Sequence, residues 1–168
     1  MNQVMDKVLQ VVALTEHPNI HLVDIENLVG YGKFPAGEVR RVRDLYRLAT
    51  TLKIDDLVII ASGPQNKRAI YEGWSDAMYL WRRGENGADL ALVDFFATLS
   101  DLSPYGHLFI GSGDKKLAEV ANAALLAGLP ATIVARRSSL SAQFAMHKFI
   151  NLNSATSHSN NSLKGNLK

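Results

Sequence analysis

The sequence predicts a three-layer α/β sandwich built on about five mostly parallel strands. Three observations lead to this prediction: strand-like and helix-like segments alternate, the strand-like runs are continuously apolar, and the helix-like runs repeat apolar residues at helical spacing. Continuously apolar strands belong in a sheet that is covered on both faces. Alternation with helices makes the strand pairs mostly parallel, with right-handed crossovers.

Five short apolar runs, each followed by polar or turn-forming residues, are the predicted strands. They are "NIHLVDI" (19–25), "DLVIIAS" (56–62), "AMYLWRR" (77–83), "HLFIGSG" (107–113) and "PATIVAR" (130–136). The remaining segments place their apolar side chains on one side of a helix. The predicted helices are 37–52, 65–73, 88–99, 114–128, which Gly128 ends, and a last short helix over 139–150.

Two end segments lie outside the predicted domain, which spans residues 17–150. Residues 1–16 mix Val and Leu with polar residues, as in an amphipathic helix, which either packs on its own domain or forms a homodimer contact. Residues 151–168 are rich in Asn and Ser with almost no apolar side chains, so we expect disorder there.

Composition narrows the function classes. The formal net charge of +2 is too small for a strongly basic nucleic-acid binder, so a basic surface requires local clustering. The chain has no cysteine, which excludes a disulfide framework and a thiolate metal site. The first ten residues lack the order of a signal peptide and no apolar run reaches bilayer-spanning length, so we expect a cytoplasmic protein.

Three aspartates are predicted to meet at the carboxyl edge of the sheet, where functional groups collect in open α/β folds. Asp24 ends the first strand, Asp114 follows the fourth, and Asp89 begins the helix after the third. An aspartate that begins a helix is commonly a cap, worth about 1 kcal/mol, and this alternative applies to Asp89 and Asp114. Asp24 closes a buried strand, where we expect no capping role.

Carboxylates that meet at this edge would repel one another, by roughly 4 kcal/mol per pair at 4 Å and an effective dielectric constant of 20. A hard divalent cation, Mg²⁺ or Mn²⁺, would turn that repulsion into coordination. The sequence therefore predicts a metal site on the three aspartates. Asp94 lies about 140° round its helix from Asp89 and is a marginal member. Glu26 is expected to point away from Asp24.

Three blocks of the sequence resemble the motifs of NYN-domain proteins, a branch of the PIN-like nuclease superfamily that includes the LabA-like proteins. The blocks are "HLVDIENLVG", "NGADLALVDFF" and "FIGSGDKKLAEVANAALLAGLPATIVARRSSLSAQF", in the right order over residues 20–150. The resemblance implies a PIN-like fold with sheet order 3-2-1-4-5. It also implies metal-dependent hydrolysis of RNA phosphodiester bonds.

The resemblance assigns roles to individual residues. Asp24 matches the first-strand metal ligand, and Asp89 and Asp114 match the aspartates of the second and third blocks. Asn27 matches an amide that helps to position metal or phosphate. Ser112 matches the small hydroxyl residue that precedes the last aspartate.

Lys116 departs from the family pattern, because many relatives have a second acid at this position. The positive charge leaves three alternatives: a single-metal site, a metal bound too weakly for cleavage, or a direct contact of Lys116 with the scissile phosphate.

Pairs of basic residues that follow three of the strands are the predicted RNA contacts, since they share the edge of the acids. They are Lys67, Arg68, Arg82, Arg83, Arg136 and Arg137, with Lys116 added by its position. Tyr71, Trp74 and Trp81 are candidates for stacking on bases, with core or interface packing as the alternative for Trp81. His21 and His107 lie near strand starts, at the opposite edge, and are interpreted as structural.

Three functions follow from these features. The first is a metal-dependent ribonuclease, most simply an endoribonuclease, that uses Asp24, Asp89 and Asp114. The second is a catalytically weak or inactive RNA-binding or protein-binding module, which Lys116 favours. The third is a regulatory or defence-associated partner protein with residues 1–16 as its interface.

Overall fold

Alternating apolar strands and helices produce one parallel sheet within residues 17–153, the part of the chain that the computed structural model describes. The sheet has six strands in the order β3-β2-β1-β4-β5-β6, and every neighbouring pair is parallel. The strands are β1 (Ile20–Asp24), β2 (Leu57–Ser62), β3 (Met78–Trp81), β4 (Leu108–Gly111), β5 (Ala131–Ala135) and β6 (Lys148–Asn151). The predicted α/β class and the order of the first five strands are confirmed, and a sixth strand extends the sheet.

Helices cover both faces of the sheet and are joined to it by short loops and single 3₁₀ turns. The helices are α1 (Ile25–Val29), α2 (Ala36–Thr50), α3 (Lys67–Gly73), α4 (Gly87–Thr98) and α5 (Ala118–Leu126). The 3₁₀ turns are Pro64–Asn66, Lys115–Leu117, Arg137–Ser139 and Ala142–Phe144. In residues 17–153 no helix has the length and apolarity that crossing a bilayer requires.

The core consists of two apolar clusters, one on each face of the sheet. Helices α4 and α5 pack on one face, where Leu22 of β1 is buried. Helices α1, α2 and α3 pack on the other, where Val23 is buried. Successive side chains of a strand point to opposite faces, so a central strand covered on both sides must be apolar at nearly every position. This explains the continuous apolar run that ends at Asp24.

A buried polar network lies at the amino edge of the sheet, around His21. The His21 ring is stacked on Phe109 with centroids 4.8 Å apart, its Nδ1 lies 3.2 Å from the Tyr46 hydroxyl, and its Nε2 lies 3.2 Å from Asp56 Oδ2. Burial lowers the pKa of His21 below its ordinary value, although the Asp56 carboxylate opposes this. A neutral ring that donates from Nε2 to Asp56 and accepts at Nδ1 from Tyr46 satisfies all three groups.

The prediction of a helix over 139–150 is wrong. This segment forms two 3₁₀ turns and then β6, which pairs in parallel with β5. The side chain of Phe149 packs against one core cluster and that of Ile150 against the other, so an edge strand buries both where a surface helix would bury one side. Residues beyond 150 also belong to the fold, because β6 ends at Asn151 and Leu152 is buried. Residues 1–16 and 154–168, on which the helix and disorder predictions fall, lie outside the described part.

Leu152→Ala is expected to destabilise the domain by about 2–4 kcal/mol, because it removes a buried side chain and leaves a cavity. Urea unfolding followed by circular dichroism measures this change. Leu126→Ala is the matched control, since Leu126 is exposed on α5 and its loss should change stability by at most about 0.5 kcal/mol. Equal midpoints for the two variants would show that the chain after β6 does not belong to the core.

Candidate functional site

The carboxyl edge of the sheet brings together acids from three segments of the chain. Asp24 is the last residue of β1, Asp89 lies in the first turn of α4, and Asp114 begins the 3₁₀ turn after β4. Strands β1 and β4 are direct neighbours. The carboxyl groups of Asp24 and Asp89 lie close enough to influence each other, and the charges of Asp114 and Glu26 both act on Asp89.

Asp24 and Asp89 form a buried carboxyl pair with 5% and 4% of their surfaces exposed. Burial, and then the neighbouring charge of Asp89, raise the pKa of Asp24 well above its ordinary value. Burial likewise raises the pKa of Asp89. Both shifts make the pair easier to protonate than isolated aspartates. Asp89 Oδ1 is buried and has no hydrogen-bond partner among residues 17–153.

The capping alternative divides the three aspartates. Asp114 is a cap, because its Oδ1 accepts from the Lys116 amide at 2.9 Å. Asp24 is also a cap: α1 begins directly after β1, and Asp24 Oδ1 accepts from the Asn27 amide at 3.1 Å. The expectation that Asp24 has no capping role is therefore wrong. Asp89 is not a cap, because the N-cap residue of α4 is Asn86. The Asp89 side chain faces Asp24.

Glu26 belongs to the site, contrary to the expectation that it points away. The chain turns into α1 at Ile25, which aims the Glu26 side chain at the end of β2. Its Oε1 accepts from Ser62 Oγ and the Gly63 amide, both at 2.8 Å. Glu26 thereby anchors the β2 loop and adds negative charge near the carboxyl pair. A sequence signal existed: Asp24, Asn27 and Gly30 have the spacing of a capped single-turn helix, and Gly30 ends it with φ 100°.

Asn27 and Ser112 organise the loops of the site. Asn27 Oδ1 accepts from the Gly113 amide at 3.1 Å. The backbone carbonyl oxygen of Asn27 accepts from an Arg136 guanidinium nitrogen at 3.1 Å. Ser112 is fully buried, and its Oγ accepts from the Asp114 amide at 3.2 Å. These contacts fix the relative positions of the loops after β1, β4 and β5, which hold two of the three aspartates.

Lys116 places an ammonium group inside the acidic cluster. Its Nζ donates to Asn86 Oδ1 at 3.0 Å and lies 3.6 Å from Asp114 Oδ1. Its charge also favours the ionised form of Asp89. Within residues 17–153 no group of three acidic or histidine side chains already surrounds a single point at metal-ligand distance. The positive charge of Lys116 partly neutralises Asp114 and Asp89.

Asp94 is not part of this cluster. It is exposed and accepts from Arg82 at 2.6 Å, while the helix turns its side chain away from Asp89. The prediction that Asp94 is a marginal member of the metal site is therefore wrong, because its partner is the surface side chain of Arg82.

The basic side chains predicted to contact RNA differ in whether they already contact another group of the protein. Arg68 pairs with Glu72 at 2.7 Å, and the Arg136 guanidinium packs over Gly30. Arg137 lies over the Phe149 ring and Lys67 over the Trp81 ring. Arg83 lines an open groove with Gln65. Among the aromatic candidates, Trp74 is fully buried, which leaves Tyr71 and Trp81 for contact with a ligand.

Neither the scan against models of protein families nor the searches of curated proteins and of solved structures finds a match for this chain. The resemblance to NYN-domain proteins thus depends on the three sequence blocks alone.

Proposed function

We propose that the protein hydrolyses phosphodiester bonds of RNA with a divalent cation, Mg²⁺ or Mn²⁺, held at Asp24 and Asp89 with Asp114 beside them. The observation that supports this most is the buried Asp24–Asp89 carboxyl pair at the carboxyl edge, with Oδ1 of Asp89 left without a partner among the described residues. A buried acceptor of this kind costs about 1–3 kcal/mol unless something binds it.

The donor set fits a hard cation. The groups that face one another are carboxylate oxygens, which Mg²⁺ and Mn²⁺ prefer, and two of them belong to buried side chains that hold their positions. Burial is the main cause of the raised pKa values of Asp24 and Asp89, and the neighbouring carboxylates add excess negative charge at this edge. A bound cation would relieve that excess, and Lys116 already does so in part.

Each residue of the site has a role in the proposed reaction. When bound, the cation activates a water molecule and stabilises charge on the phosphate. Asp24 and Asp89 would hold the cation, and Asn27 fixes the loop that carries Asp114. Asp114 is the most accessible of the three acids, with 30% of its side chain exposed, and in the proposed reaction it would accept the proton of the attacking water. The Lys116 ammonium, 31% exposed beside it, is available to a phosphate oxygen.

Incubation of the purified protein with single-stranded and structured RNA tests the proposal. We expect cleavage with Mn²⁺ or Mg²⁺ and none with EDTA. The cation alone should also raise the thermal midpoint, since a ligand at 100 times its Kd stabilises by about 2.7 kcal/mol. Cleavage that persists in EDTA, or an inert protein whose midpoint no divalent cation changes, would contradict the proposal.

A second candidate is an RNA-binding module without turnover, and the position of Lys116 favours it. An ammonium 3.6 Å from Asp114 competes with a cation for the same carboxylate. This candidate predicts RNA binding that weakens steeply with salt and no cleavage in any metal. Lys116→Asp, which restores the acid common in relatives, should then create metal-dependent cleavage.

A further inference from the structure

An aromatic cluster lies on the edge strand β3, next to the acidic site. The rings of Tyr79 and Trp81 are nearly parallel, at 15° with centroids 5.7 Å apart. The Tyr71 ring of α3 meets both at a steep angle, with centroids 4.7 Å and 5.7 Å away. Strand β3 pairs only with β2 in the described sheet, and Tyr71 is half exposed. The three rings thus form a continuous aromatic surface at the rim of the sheet.

One cationic side chain lies over this surface, and others follow it closely along the chain. Lys67 Nζ lies 5.5 Å from the centroid of the Trp81 ring, and Arg83 lines an open groove of about 440 Å³ with Pro64, Gln65 and Gly84. Arg68 and Arg82 have carboxylate partners. Neither Lys67 nor Arg83 has an ion-pair partner within 17–153. Gln65 Nε2 lies 3.5 Å from Glu26, so the groove adjoins the acidic edge.

The geometry points to a stacking subsite on Trp81 for a base of single-stranded nucleic acid, with Lys67 and Arg83 against the flanking phosphates. A ring with one face under an exposed lysine can accept a base when that lysine moves to a phosphate. Two unpaired cations beside the rings match a polyanion, whereas an apolar protein partner would leave them desolvated. This inference rests on the proposed function, because the subsite would lead a strand from Trp81 to the Asp24–Asp89 pair.

Tryptophan fluorescence tests the inference directly, since Trp74 is fully buried and Trp81 is the partly exposed one. A short single-stranded RNA, a DNA of the same sequence and a duplex are titrated in EDTA, so that binding is measured without cleavage. We expect single strands to quench the emission of the wild-type protein, and Trp81→Phe to bind them without quenching. Trp81→Ala should weaken binding by about tenfold.

Met78→Ala is the matched control, because Met78 is exposed on the same strand and points to the other face of the sheet. The affinity of Met78→Ala for the single strands should equal that of the wild type. Circular dichroism of each variant verifies the fold. Single strands that bind without quenching, Trp81→Ala that binds as tightly as Met78→Ala, or preferential binding of the duplex would overturn the subsite.

The two proposals can fail separately. Quenching by single strands in a protein that never cleaves them would refute the nuclease and keep the subsite. Metal-dependent cleavage whose KM for RNA is unchanged in Trp81→Ala would refute the subsite and keep the nuclease. RNA that binds at least tenfold more tightly than the same DNA sequence would identify RNA as the strand that the subsite accepts.

Discussion

Asp24→Asn is expected to reduce metal-dependent RNA cleavage on the order of 10²–10³-fold, because a metal ion contributes several kcal/mol to the transition state and this substitution removes a charged ligand. The same variant should be more stable than the wild type without metal. An asparagine keeps the oxygen that accepts from the Asn27 amide, and its Nδ2 can donate to Asp89 without the repulsion between two carboxylates. We expect a gain of about 1 kcal/mol.

These opposite changes separate a lost ligand from a damaged fold. Initial cleavage rates and thermal midpoints are measured together, with and without Mn²⁺. Asp44→Asn is the control: it removes one carboxylate from the exposed side of α2 and should alter neither quantity. Mn²⁺ should raise the midpoint of the wild type and of Asp44→Asn, but not that of Asp24→Asn. Wild-type cleavage rates in Asp24→Asn would remove Asp24 from the mechanism.

The sheet and the carboxyl pair were predictable from the sequence for the same physical reason. Strands buried on both faces must be apolar throughout, so they stand out, and the residues after them must meet at one edge. This rule alone predicts that Asp24 and Asp89 lie at the same edge. The rule does not settle the position of Asp94, which lies between two faces of its helix. Its ion pair with Arg82 is visible only in the folded structure.

The missed features depend on the tertiary structure. A continued strand pleat predicts that Glu26 points away from Asp24, but the chain turns into α1 immediately after Asp24. The apolar side chains of "SLSAQFAMHKFI" lie at helical spacing, which predicts a helix where the structure has strand β6. Hydrogen bonding to β5 and burial on both faces outweigh that local preference. A short apolar segment beside an open sheet edge cannot be assigned from its spacing alone.

Asp56→Ala is expected to destabilise the fold by about 3–5 kcal/mol, the largest effect we predict for a residue outside the candidate site. The Asp56 carboxylate accepts from the Asn19 amide at 2.7 Å, the Lys53 amide at 2.8 Å and His21 Nε2 at 3.2 Å. These hydrogen bonds hold its pKa far below the ordinary value. Alanine would leave these donors unpaired at the amino edge. Two of them are backbone amides, that of Asn19 directly before β1 and that of Lys53 in the loop before β2.

Urea unfolding at neutral pH measures this loss, and Asp55→Ala, one residue earlier and exposed, should lose at most about 0.5 kcal/mol.

The network around His21 also predicts a pH dependence of the free energy of unfolding. The pKa of His21 is lowered by folding, so the unfolded chain binds its proton first, and stability falls as pH drops below about 6.5, by at most about 1.4 kcal/mol per unit. Asp24 and Asp89, whose pKa values are raised, act with the opposite sign. The difference between wild type and His21→Gln isolates the histidine contribution, and a difference that stays constant from pH 7 to acid would show that His21 is not held neutral by its burial.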